Sequence, residues 1–229
     1  MEADRQDDWQ TRLEAVTADL RDAYRDAVLL GMPAAADRTV RAAIDAGLTE
    51  LAIDDQIIAP AMRFVGDLWA IGDITVAQEH LATSISLRVI ALQHERFRVA
   101  QGRLSRRVLL AGMEGEHHVL GLQMAASALL HAGYDVRMLG PDVPIEDLGS
   151  AVAQHDPDVV GFTTTMLETA ARTGDAIAAA RSAKPTVGIL IGGAGAPDAA
   201  TMDPALSICT HVSDVLDLTN ALVQRARLN

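Results

Sequence analysis

Val108-Leu109-Leu110-Ala111-Gly112-Met113-Glu114-Gly115-Glu116-His117-His118-Val119-Leu120-Gly121 is the stretch that decides the fold of this chain. Val108 to Ala111 is a short apolar run and reads as a buried strand. A glycine-rich, charged turn follows from Gly112 to His118, and a helical stretch then covers Leu120–Ala132. Strand, short loop and helix in that order open a parallel βαβ unit. The same alternation continues downstream. Val136–Leu139, Val159–Phe162 and Val187–Ile191 are further apolar runs, and Leu206 to Val212 is a weaker fifth. Ile145–Gln154, Leu167–Ser182 and Val212–Arg227 carry the helical pattern between and after them. The expectation is a doubly wound, five-stranded parallel sheet covered on both faces. Ligands of such sheets sit at the carboxyl ends of the strands, which is where the 112–118 loop must lie.

Upstream the period changes. Trp9, Leu13, Val16, Leu20 and Tyr24 recur at helical spacing. Gly31 and Pro33 interrupt, and Pro33 suits the first turn of a second helix that runs to about Asp45. A third helix is expected over Glu50 to Trp69, kinked at Pro60. Asp73 or Thr75 can cap a fourth, which reaches about Arg98. Four helices joined by short loops predict an up-and-down bundle. Gln101 to Ser105 is polar and reads as the linker. The expected organisation is all-α over 1–100 and α/β over 106–229.

Composition narrows the function. A hydrophobic content of 49% supplies an ample core, and aromatics at only 3% make each tryptophan a candidate device. The formal charge of −12 argues against direct nucleic-acid binding, which needs a basic face. The acidic start lacks the apolar core of a signal peptide, and no run is apolar enough to span a membrane. A cytoplasmic location is therefore expected. The one cysteine, Cys209, excludes an internal disulfide framework and reads as a core residue.

The 112–118 loop offers metal-binding chemistry. A neutral imidazole is a good ligand for a first-row transition metal. A carboxylate bonded to its other nitrogen orients the ring and raises its basicity. Glu116 and His118 have the i, i+2 relation for that role, with His117 the competing ligand by adjacency. Gly121 permits close approach at the helix start.

Glu116-x-His118-x-x-Gly121 resembles the Asp-x-His-x-x-Gly motif of cobalamin-binding domains, with Glu in place of Asp. The resemblance covers about 105–229 and implies a Rossmann-like, flavodoxin-like domain in which His118 is the lower axial ligand of cobalt. In that family the cofactor's own base is displaced and threads into the domain on its nucleotide tail. The family's Ser-x-Leu element falls near Thr163-x-Thr165, which keeps the first hydroxyl and replaces the leucine. The Gly-Gly element falls at Gly192-Gly193, where missing side chains leave a slot for the tail.

A second motif lies in the helical region. Trp69 is followed by Glu79-His80 within Val76-Ala77-Gln78-Glu79-His80-Leu81-Ala82-Thr83. The two parts flank one helix–helix turn, so Trp69 and His80 are both expected within about 10 Å of it, at about 1.5 Å of rise per residue. Glu79 and His80 differ by about 100° around the helix and cannot share one inter-helix seam. The Trp-x9-Glu-His spacing resembles the cap of adenosylcobalamin-dependent photoreceptors of the CarH type. The resemblance implies a bundle that caps the upper face of cobalamin. Trp69 would form a flat wall, and Glu79 and His80 would contact the adenosyl group.

Two departures shape the expected function. The CarH-type histidine after the tryptophan, which captures cobalt after light, is here Ala70, so the upper face is left to water, to His80 or to no protein ligand, and water or hydroxide is expected. Nothing before Asp8 reads as the DNA-binding helix-turn-helix of those regulators. The expectation is a non-enzymatic light sensor in which cobalt–carbon photolysis changes conformation or assembly. It would act through a protein partner or its own homo-oligomer, without direct nucleic-acid or membrane contact. Stand-alone relatives of this type, the photocobilins, hold a bilin such as biliverdin beside the cobalamin. No bilin signature is evident in the sequence, and a bilin is a secondary expectation. The alternative function is a corrinoid carrier for a methyltransferase system, which would not need an adenosyl-shaped wall. A module of a radical mutase is a weaker third reading, because no substrate barrel is present.

Overall fold

The computed structural model describes residues 2–97, 104–197, 203 and 205–226. They fall into two compact units, Met1–Phe97 and Arg98–Asn229. Gln101–Arg103 of the expected linker, and the helix ends expected at Arg98 and Arg227, lie outside the described residues, as does the side chain of Trp9. Among the described residues no helix is long and apolar enough to cross a membrane.

The first unit is helical. Helix α1 covers Glu2–Leu29 and α2 covers Pro33–Asp45. Then come α3 at Glu50–Ile53, a π-helical turn at Asp54–Ile58, α4 at Ala59–Ala70, and α5 at Val76–Phe97. Pro33 opens α2 as expected, and Thr49 caps α3 by accepting the Ala52 N–H at 3.2 Å. The expected kink at Pro60 takes the form of the π turn. Pro60 has no N–H to donate, and its ring would crowd the carbonyl four residues back, so the preceding turn widens. Thr75 caps α5 through a capping box. Its hydroxyl accepts the Gln78 N–H at 3.3 Å, and the Gln78 side chain accepts the Thr75 N–H at 2.9 Å. Such a cap is worth about 1 kcal/mol.

Tyr24, Ile53, Ile57, Ile58, Val65 and Ile90 are fully buried in this unit. Val16 is 41% exposed, and the buried line of α1 passes through Thr17, Tyr24, Ala27 and Val28. The core also carries polar groups. The Tyr24 hydroxyl, pushed up in pKa by burial, donates to Ser86 Oγ at 3.0 Å. Asp54, in the π turn, is 1% exposed and accepts from Gln93 Nε2 at 2.8 Å. Burial, reinforced by the nearby Glu50 carboxylate and opposed by Gln93, pushes Asp54 up to about 7.

The second unit is a doubly wound α/β domain. Its strands are β1 Arg107–Met113, β2 Asp135–Val143, β3 Val159–Thr163, β4 Gly188–Gly192 and β5 Leu206–Cys209. All neighbours pair in parallel, in the order β2-β1-β3-β4-β5. Helices α6 Leu120–His131, α7 Ile145–His155, α8 Leu167–Ala170, α9 Thr173–Ala183 and α10 Val215–Ala226 complete it. The single helix expected over Leu167–Ser182 is thus two helices, broken at Ala171–Arg172.

Side chains alternate across each strand. Leu109, Ala111, Met113, Val160, Phe162, Ile189 and Ile191 form one core cluster with Leu148 and Val152 of α7 and Ala176 and Ala180 of α9. The intervening residues face the other way, where a Cβ on Gly188 would lie 3.0 Å from Leu222 of α10. The order reverses between β1 and β3, and this switch point is where the loop after β1 emerges.

Candidate functional site

The loop after β1 is short, and its geometry is set by hydrogen bonds at both ends. Glu116 N–H donates to the Met113 carbonyl at 2.8 Å, closing a turn that passes through Gly115 at φ +82°. A side chain at that φ is strained, so glycine is required there. The turn sends the Glu116 side chain inward, and it has no exposed surface.

Both oxygens of Glu116 are engaged. Oε1 lies 2.5 Å from His118 Nδ1 and accepts the His118 backbone N–H at 2.9 Å. Oε2 accepts the Thr165 backbone N–H and lies 3.1 Å from Thr169 Oγ1. The Thr169 hydroxyl is also 2.9 Å from the Met166 carbonyl and 2.9 Å from Thr164 Oγ1, so its one proton serves one acceptor at a time. Burial by itself would raise the Glu116 pKa. The hydrogen bonds from the His118 ring, the His118 N–H and the Thr165 N–H outweigh it and hold the carboxyl down at about 2.

An ionised Glu116 only accepts, so His118 Nδ1 carries the proton that faces it. The imidazole side chain is 47% exposed although its partner is buried. Its Nε2 is then the nitrogen with the lone pair suited to a metal. His117 is also exposed, but the carboxylate bonds go to His118.

The other expected residues of this unit fall around the same sheet edge. Gly112 of β1, Thr163 of β3, Gly192 of β4 and Cys209 of β5 are register partners in one continuous row. They share a face, opposite to that of Phe162 and Ile191. The row is small: two glycines, a threonine and a cysteine. Thr165 contributes its backbone N–H to Glu116. Gly193, at φ +100°, lets the loop after β4 lie against Thr164, whose backbone a Cβ on Gly193 would strike. Thr164 N–H donates to Gly192 at 2.9 Å, and Gly195 N–H returns to Thr164 at 3.0 Å. Gly121 has no described protein atom within 4 Å of where its Cβ would be, so the space beside it is open.

In the helical unit, Trp69 lies one residue before the end of α4 and is 39% exposed, with Ala70 exposed beside it. Glu79 closes the first turn of α5 and His80 follows it. Glu79 Oε1 accepts the Thr83 hydroxyl at 2.7 Å, and its Oε2 is 3.6 Å from His80 Nε2. The His80 side chain is 73% exposed and that of Glu79 only 20%. Although their Cα–Cβ directions diverge, the two long side chains meet at the surface.

Three residues at these sites were not singled out by sequence. Thr169 reaches Glu116, and Thr164 reaches Thr169, only because the loop after β3 folds over the β1 loop, and no spacing marks that. Thr83 is four residues after Glu79, a helical spacing that could have signalled the bond.

Residues 106–212 match a family model described as the B12 binding domain. Residues 20–92 match a second model with the same description. The chain is similar to the HTH-type transcriptional repressor CarH of Myxococcus xanthus, at 39% identity over 153 residues, which is 66% of this chain and 50% of that protein. It is also similar to the trimethylamine corrinoid protein of Methanosarcina barkeri, at 29% identity over 139 residues, 58% of this chain and 64% of that protein. The chain thus spans about half the length of the repressor it matches. Among solved structures, the monomethylamine corrinoid protein of Methanosarcina barkeri shares the fold. The TM-score is 0.74 at 18% identity, covering 90% of this chain and 98% of that one.

Proposed function

Taking as premise that the chain carries a pair of B12 binding domains, we propose that it is an adenosylcobalamin-binding light sensor that signals through a protein partner or its own assembly state. The observation that carries the cofactor assignment is the Glu116–His118 pair, a buried ionised carboxylate behind a half-exposed imidazole at the carboxyl edge of the sheet. The arrangement suits a cobalt ligand. Glu116 holds the proton on Nδ1 and keeps Nε2 basic, while Thr165 and Thr169 keep Glu116 in place. Thr163, Gly192 and Cys209 of the row suit a tail that needs slender neighbours, and the open space beside Gly121 suits a flat group lying close to the backbone.

The cofactor, when bound, supplies a light-labile cobalt–carbon bond. The chain's own part is binding and discrimination. Trp69 offers an exposed indole face against an adenosyl group. Glu79, held by Thr83, offers a fixed acceptor for ribose hydroxyls or the adenine amine, and His80 offers a second polar contact. The light-sensing part of the reading is supported by the Trp-x9-Glu-His spacing and by the similarity to CarH. No residue is assigned to a bilin. A sensor needs two states that contact the ligand differently, and loss of the adenosyl group would remove what Trp69, Glu79 and His80 bind.

The test is an absorption spectrum of the full chain, loaded with adenosylcobalamin in darkness, before and after green light. The expected result is a histidine-ligated cobalamin spectrum that changes on illumination, with a change in mass or shape in solution. A light-insensitive protein that retains methylcobalamin in preference to adenosylcobalamin would overturn the sensor reading. That outcome would favour the second reading, a corrinoid carrier for a methyltransferase, which the similarity to methylamine corrinoid proteins supports.

A further inference from the structure

The strand β2 does not end as a regular strand. Its register with β1 slips twice, between Leu110 and Ala111 and between Ala111 and Met113. The first slip sets Gly140 opposite Ala111 and leaves Leu139 over; the second sets Val143 opposite Met113, so Pro141 and Asp142 bulge against the single residue Gly112. The bulge is packed tightly against the β1 loop. A Cβ on Gly112 would lie 3.0 Å from Pro141 Cα and 3.1 Å from the Glu116 carbonyl oxygen. Asp142 is in the left-handed region at φ 51°, a conformation that only Asn, Asp and Gly adopt readily.

In that conformation Asp142 makes two bonds to one short segment. Its Oδ1 accepts the Gly115 N–H at 2.7 Å, and its own N–H donates to the Glu116 carbonyl at 2.9 Å. The Gly115 N–H opens and the Glu116 carbonyl closes the Gly115–Glu116 pair, so the two bonds bracket that dipeptide. One residue of β2 therefore brackets the residue whose carboxylate carries His118. The backbone of the loop is fixed from one side by Asp142, and the side chain is fixed from the other by Thr165 and Thr169.

We infer that Asp142 is a positioning residue that sets the depth of Glu116 and through it the reach of the His118 imidazole toward cobalt. The inference rests on His118 being the lower ligand, as proposed above. Without the Asp142 carboxylate, the Gly115 N–H loses its acceptor and the turn is free to move. The Glu116–His118 bond then no longer holds the imidazole at one height, and the ring spends more time off the metal. Outer partners bonded to a ligating histidine typically change metal ligation by about tenfold or more, and Asp142 acts through the backbone of one such partner.

The experiment compares wild type, Asp142→Gly, Asp142→Asn and His118→Ala as full chains loaded with adenosylcobalamin in darkness. The readout is the fraction of cobalamin without an imidazole ligand, from the absorption spectrum. Asp142→Gly can hold the left-handed backbone without strain and removes the acceptor for Gly115. It is expected to raise the unligated fraction relative to ligated about tenfold. Asp142→Asn keeps an oxygen for Gly115 and is expected to restore the wild-type spectrum. In the apo-protein, hydrogen exchange at the Gly115 amide should be faster in Asp142→Gly than in wild type or Asp142→Asn. If Asp142→Gly matches wild type in both spectrum and exchange while His118→Ala loses its imidazole ligand, the positioning role is overturned. If His118→Ala itself matches wild type, the ligand assignment fails and the inference falls with it.

Discussion

Glu116 Oε1 and His118 Nδ1 lie 2.5 Å apart, with the carboxylate fully buried and the imidazole side chain 47% exposed. The pair therefore spans the boundary between core and surface. The acid is locked where water cannot compete for it, and the base is presented where a ligand can reach it. Solvent weakens an exposed carboxylate–imidazole bond, and this one is anchored at its acid end.

His118→Ala should bind cobalamin at least about tenfold more weakly, or bind it without the imidazole–cobalt spectrum, because the donor atom is gone. His117→Ala is the control and should retain that spectrum. An unchanged spectrum and affinity in His118→Ala would end the assignment.

Glu116 titrates well below an ordinary glutamate, at about 2. Its folded-state pKa is depressed, so its stabilising contribution is complete above the unfolded value of about 4.3 and is lost as pH falls toward 2. Glu116→Gln should remove that acid-side dependence. It should also weaken cobalt ligation, because a neutral amide cannot hold the Nδ1 proton as strongly. Thermal melts of both proteins between about pH 6 and about pH 3, which span the unfolded value, are the measurement. Parallel curves would contradict the buried ion.

Asp54 behaves in the opposite sense. Burial and the nearby Glu50 push it up to about 7. A raised folded-state pKa stabilises fully below the unfolded value of about 3.9 and loses that contribution as pH rises through 7. The melting temperature of the helical unit in the full chain should fall between mildly acid and mildly alkaline buffer. Asp54→Asn keeps a partner for Gln93 and removes the charge, so it should flatten that fall. A variant with the same pH slope as wild type would show that Asp54 is not its source.

Trp69→Ala should reduce the preference for adenosylcobalamin over methylcobalamin, since the indole wall contributes only when the adenosyl group is there. Loss of an aromatic contact of this kind is worth about 1 kcal/mol, or roughly fivefold in relative affinity. Titrations of both cofactors in darkness check it. A wild-type chain with equal affinities would move the balance to the carrier reading.

What the sequence determined by itself was local. The strand–helix alternation after Val108, the capping box at Thr75 and the i, i+2 pairing of Glu116 with His118 are all set by residues a few positions apart. The alternation also implied the parallel sheet, because a helix between two strands leaves them running the same way. Spacing could not say which residues hold Glu116 from behind. Thr165 and Thr169 meet it 49 and 53 positions later, and Asp142 brackets it from the end of another strand. Those meetings depend on the order β2-β1-β3 and on two register slips that no periodicity records. The row of Gly112, Thr163, Gly192 and Cys209 likewise exists only once four strands are in register. Within one unit, the same limit hid the π turn before Pro60. Helical phase says which residues share a face. The packing of neighbouring helices decides which face is covered.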